Sequence, residues 1–68
     1  MTSTVKWWDA RKGFGFIVNP DGSGQDYFVH HTNILGKNGR KNLRDGQRVE
    51  FEAEENEKGM RASNVILI

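Results

Sequence analysis

Two stretches of the chain alternate with the period of a β-strand, and both carry aromatic rings on the polar side. In Lys12-Gly13-Phe14-Gly15-Phe16-Ile17 a period of two sets Phe14, Phe16 and Val18 on one face, and Gly13, Gly15 and Ile17 on the other. Glycine weakens a strand, so two at alternate positions point to a tight bend or the close approach of another backbone. A tightly curved small barrel provides that reason, with the rings on its convex side beside Lys12. In Asp26-Tyr27-Phe28-Val29-His30, alternation groups Phe28 with Asp26 and His30, and Tyr27 with Val29. The face that carries an acid and an imidazole is the wet one. Phe28 therefore joins Phe14 and Phe16 on the solvent side, and three exposed rings are costly unless something binds them.

The same pattern yields five strands, over 3–9, 14–19, 26–30, 47–55 and 60–68. The fourth has Val49, Phe51 and Ala53 alternating with Arg48, Glu50, Glu52 and Glu54, a half-buried strand. The fifth ends in Val65-Ile66-Leu67-Ile68, an apolar run of the kind buried on both faces. Turn residues separate the strands at 19–24, 45–46 and 57–59. No window has helical periodicity; residues 32–35 could make at most one turn, with Thr32 as its cap. Five short strands in 68 residues predict an all-β fold, a closed or nearly closed antiparallel barrel forming one domain over 1–68. The first strand is ambiguous. Strict alternation pairs Trp7 with Val5 and Trp8 with Lys6, so either indole could face out, and a bulge would let both reach one surface. The competing arrangement has one indole in the core and the other covering a sheet edge.

Composition narrows the function. Without cysteine there is no disulfide, thiolate metal site or thiol nucleophile. A chain this short buries only roughly 60% of its unfolded surface, so marginal stability is expected. No apolar run approaches a membrane span, and the opening MTSTVKWW is not a signal peptide, so a soluble cytoplasmic protein is expected, with no membrane contact. The net charge of +1 hides an asymmetry: residues 1–48 hold eight Lys/Arg against four Asp/Glu, and residues 49–68 two against five. Six of the seven aromatic residues lie between Trp7 and Phe28, inside the basic part. Aromatic rings interleaved with cations are what unpaired bases stack on, since every base has a π-face.

The segment VKWWDARKGFGFI at 5–17, followed by YFVH at 27–30, closely resembles the cold-shock domain family, in which these are the two ribonucleoprotein motifs. The resemblance runs on through NLRDGQ at 42–47 and ASNV at 62–65, and so covers nearly the whole chain. RNA-recognition motif domains share a similar first motif, but they need two packing helices for which this sequence has neither room nor pattern. The resemblance implies a five-stranded antiparallel OB-fold barrel, without cofactor or catalysis, that binds single-stranded RNA and DNA. It further implies a role as RNA chaperone, transcription antiterminator or regulator, in a protein expected to be monomeric. Position by position it implies base stacking by Trp7, Phe14, Phe16, Phe28 and His30, and polar contacts from Lys6, Lys12 and Asp26. Lys58 matches a basic loop position near the nucleic acid. The implied role of Trp7 favours a bulged first strand. Three positions depart from the family: His31 stands where an aromatic is common, Trp8 where phenylalanine or tyrosine is usual, and the loop 35–41 is a residue longer than in many members. That loop lacks the family's aromatic and offers Lys37, Arg40 and Lys41 instead; His31 and Arg40 complete the candidate contacts.

Two other classes compete. The pair His30-His31 suggests a metal site or acid–base cleavage of RNA, but adjacent strand residues face opposite sides, so the imidazoles are not expected to converge. With no third histidine and no cysteine, neither a metal nor a small-molecule substrate is expected. Gly13-Phe14-Gly15 has no third glycine or Lys-Ser/Thr pair to complete a phosphate loop. A protein-interaction barrel would use the same exposed rings to seat a peptide or another subunit.

Overall fold

The computed structural model describes residues 1–22, 25–35 and 42–68. Among them are five strands, β1 (Thr2–Asp9), β2 (Phe14–Ile17), β3 (Tyr27–His30), β4 (Arg48–Asn56) and β5 (Gly59–Leu67), with one 3-10 turn at His31–Asn33. They close into a barrel in the order β1-β2-β3-β5-β4. The pairings are antiparallel except for β3 with β5, which runs parallel at Phe28 and Arg61. That exception follows from counting, because strand direction cannot alternate all the way around a ring of five. The fold is the expected OB-type barrel with this one parallel seam.

Register turns the sequence pattern into an inside and an outside. Val5 faces Ile17 across β1–β2, and Ile17 faces Tyr27 across β2–β3. These join Val29, Ile34, Leu43, Val49, Phe51, Ala62 and Val65 in the core. One step along, Phe16 faces Phe28 and Phe14 faces His30, on the outer side. The predicted split of rings and glycines between two faces therefore holds, since Gly15 and Ile17 are buried while Phe14, Phe16 and Phe28 are half-buried.

Three expectations are corrected. Ala53 is exposed, as is every residue of β4 from Glu52 onward. β1 pairs β4 only from Arg48 to Glu50, and the β4–β5 register slips between Glu50 and Glu52, so from Glu52 onward β4 is paired with β5 alone. The apolar end of β5 is not buried on both faces: Val65 is inside, but Ile66, Leu67 and Ile68 are exposed, because among the described residues no layer covers the barrel's outer wall there. The 3-10 turn is capped by His30 rather than Thr32; the His30 Nδ1 accepts from the Thr32 N–H at 3.3 Å and lies 2.9 Å from its hydroxyl. Two buried polar residues, Asn19 and Ser63, were not foreseen. Asn19 holds the β2–β3 connection by donating to the Gln25 carbonyl and accepting from the Asp21 N–H.

Candidate nucleic-acid interface

The first strand carries a bulge. Val5 pairs with Ile17 and Trp7 with Phe16, which leaves Lys6 as an extra residue. The extra residue moves Trp7 to the outer face and turns Trp8 toward the core, against which it packs. The bulge does not bring both indoles to one surface. Trp8 is half-buried, its backbone N–H held by Asp45 at 2.9 Å, and its Nε1 has no hydrogen-bond partner among the described residues.

Trp7, 37% exposed, stands 5.3 Å from the Phe16 ring and 5.8 Å from Phe14, measured between centroids. Phe28 lies 5.8 Å from Phe14 and 5.7 Å from Phe16, which closes a continuous platform of four rings across β1, β2 and β3. These spacings are those of edge-to-face and tilted aromatic contacts, which hold each ring at a fixed angle. Glycine makes the approach possible. A Cβ at Gly15 would collide with the Trp7 carbonyl and come within 2.9 Å of the Trp8 Cα, so β1 can cross this close only over a residue without a side chain.

His30 extends the platform beyond Phe14, its register partner. The His31 ring lies 4.3 Å from that of His30, tilted by 38°. A continuing strand would hold these imidazoles on opposite faces, but β3 ends at His30, and the 3-10 turn swings His31 back to the same side. Gly13, with a φ of 75°, makes room, since a Cβ there would sit 2.7 Å from the His31 ring. Among the described residues no group of three or more His, Cys, Asp or Glu could hold a metal ion.

Cations flank the rings. The Lys6 ammonium lies 2.9 Å from Asp26, which also accepts from the Asn19 N–H. Lys12 is exposed in the β1–β2 turn, where the Asp9 carboxylate caps its backbone N–H. Lys58 is exposed in the β4–β5 turn. A cavity of about 740 Å³ opens between Trp7, Phe16 and Phe28 on one side and Asn56, Lys58 and Arg61 on the other. Of the candidate contacts the structure thus gathers Lys6, Trp7, Phe14, Phe16, Asp26, Phe28, His30 and His31 around the platform, with Lys58 across the cavity. Arg40 lies outside the described residues. Sequence reasoning missed Gln25, Asn56 and Arg61 as lining residues, because only the β3–β5 seam brings their segments together.

The hydrogen bond from Lys6, and then that from Asn19, hold the Asp26 carboxyl below the ordinary aspartate value of 3.8, against a smaller opposing effect of burial. A carboxylate held low stabilises the fold above its ordinary pKa, and that contribution is lost as pH falls through the folded value. The gap in urea midpoint between wild type and Asp26→Asn is expected to be small, because the pair is partly exposed. It should be widest above about pH 5 and close as pH drops below 3.8. A gap that stays constant over that range would show that the carboxylate's charge plays no part.

All of residues 1–68 match the family profile described as the 'Cold-shock' DNA-binding domain. The chain belongs to the cold-shock domain family. Members of this family are nucleic-acid-binding proteins and not enzymes. This cold-shock domain is 53% identical over 68 residues to the "Cold shock-like protein CspB" of Yersinia pestis, covering 100% of this chain and 94% of that one. It is 50% identical over 62 residues to the "Major cold shock protein" of Micrococcus luteus, covering 91% and 90%. Among solved structures, the "drosophila Unr CSD456" chain superposes with a TM-score of 0.72 at 22% identity, over 98% of this chain and 26% of that one. At that identity the likeness speaks for the fold.

Proposed function

We propose that this cold-shock domain binds single-stranded RNA and DNA by stacking unpaired bases on Trp7, Phe14, Phe16, Phe28 and His30. Lys6, Lys12, Asp26 and Lys58 supply polar contacts, and His31 and Arg40 extend the site. The observation that carries this reading is the contiguous four-ring platform on the outer wall, with Lys6 and Lys58 lining the cavity that three of its rings border. Such a surface grips bases only when they are unpaired, because a stacked ring replaces the neighbouring base. A strand held this way cannot pair. That is the basis for assigning a role as RNA chaperone, antiterminator or regulator to a single-domain, monomeric, cytoplasmic protein.

The test is tryptophan fluorescence, since Trp7 lies in the platform and is exposed. Short pyrimidine-rich strands of RNA and of DNA should quench it, and added salt should weaken the binding. A blunt duplex of equal length should bind far more weakly, because the platform offers nothing to offset unpairing. Equal affinity for the duplex would overturn the stacking reading. No response to any oligonucleotide would favour a protein partner on the same rings.

A further inference from the structure

Arg61 stands on the far side of the cavity from the platform's centre. It faces Phe28 in the parallel β3–β5 pairing and Glu54 in the antiparallel β4–β5 pairing. The residue is half-buried and lines the cavity. Its Nε is buried and has no hydrogen-bond partner among the described residues. The ion pair found among those residues joins Lys6 to Asp26, so the Arg61 guanidinium is not tied to Glu54. The hairpin turn comes close to the end of the β2–β3 connection, since a Cβ at Gly59 would lie 2.7 Å from the Gln25 Oε1. The terminal guanidinium nitrogens are not enclosed as Nε is, and they have no hydrogen-bond partner among the described residues, so on a cavity-lining residue they are the donors to which a ligand can supply acceptors.

We propose that Arg61 reads the edge of the base stacked on Phe28 and makes that subsite selective for guanine. This rests on the nucleic-acid reading given above. Adjacent strands lie about 4.8 Å apart, so a base lying over Phe28 directs one edge at the neighbouring strand. A guanidinium has only donors, set in a planar fork. Guanine matches that fork, because O6 and N7 are two acceptors side by side on one edge. Adenine places an amino donor beside its N7, and thymine and uracil offer single carbonyls. Cytosine can also pair two acceptors, but its single ring reaches less far from Phe28 toward β5. Lys58, a point charge on a flexible stem, has no comparable geometry and is left to contact phosphate.

The test uses a thymidine heptamer in which each position in turn is replaced by guanine, with binding read by tryptophan fluorescence. One position is expected at which guanine tightens binding roughly five- to a hundredfold over thymine. The gain should vanish with 7-deazaguanine, which lacks the N7 acceptor, and in Arg61→Met, which keeps the apolar stem and loses every donor. Lys58→Gln should weaken all the oligonucleotides alike and leave the guanine gain in place. The proposal is overturned if no position prefers guanine, if cytosine gains as much there, or if the preference survives in Arg61→Met. Should Arg61→Met fail to fold, 7-deazaguanine with the wild-type protein still decides. Binding without base preference overturns the role of Arg61 alone, whereas no binding to any heptamer overturns the nucleic-acid reading with it.

Discussion

Replacing Phe28 with alanine is expected to weaken binding of a thymidine heptamer about ten- to a hundredfold, the equivalent of one stacked base at roughly 1–3 kcal/mol. Phe28 is the sensitive position because it touches both other phenylalanines, at 5.8 and 5.7 Å, and borders the cavity. Its removal deletes one stacking surface and loosens two more. The variant should nevertheless remain folded. Phe28 lies on the outer wall and is not part of the buried core, so the expected cost is that of two aromatic contacts, about 1–3 kcal/mol. Affinity by fluorescence titration and stability by urea denaturation, measured on the same preparation, separate the two effects. A large loss of stability with full binding per folded molecule would place Phe28 in the core.

The largest effect on folding is expected at Phe51. Its side chain is the largest of those fully buried, and its ring lies 5.1 Å from that of Tyr27 across the barrel. Phe→Ala in a core costs about 3–5 kcal/mol, the lost transfer energy plus the cavity left behind. A domain of 68 residues has a total stability of only about 3–10 kcal/mol, so Phe51→Ala should be largely or wholly unfolded at 37 °C. Because Phe51 does not touch the platform's outer face, saturating single-stranded oligonucleotide should pull the variant back toward the folded state by mass action. Circular dichroism with and without oligonucleotide measures both. An unchanged denaturation midpoint would show that the barrel does not depend on this ring.

These contrasting expectations for two phenylalanines come from period-two alternation, which was legible in the chain. Phe14, Phe16 and Phe28 sit with polar neighbours, and Phe51 sits between glutamates on a strand whose other face is charged. What alternation could not supply is where it stops. It misjudged Ala53 because it has no knowledge of which strands lie beside a residue, and β4 outruns its neighbour β1. It separated His30 from His31 because it assumed that the strand continued. It left Trp7 and Trp8 undecided because a bulge leaves no mark in local composition; the resemblance to a family favoured a bulge, and in the structure that bulge turns Trp7 alone outward. The far wall of the cavity was out of reach altogether. Arg61 becomes a neighbour of Phe28 only through the parallel seam, a contact between segments more than thirty positions apart.

The bulge in β1 also separates two properties that strands usually couple. Val5 pairs with Ile17 and Trp7 with Phe16 as though Lys6 were not there, so the chain reads as a regular ladder into which one cation has been spliced. Remove the splice on paper and both indoles keep their facing; make the strand regular with Lys6 retained and Trp7 rotates inward while Trp8 rotates out. Lys6 therefore works as a spacer whose side chain is free of the ladder's alternation. The charge at this point, or its pairing with Asp26, can be changed without turning a single ring, so the strength of the electrostatic grip and the shape of the stacking surface are set independently.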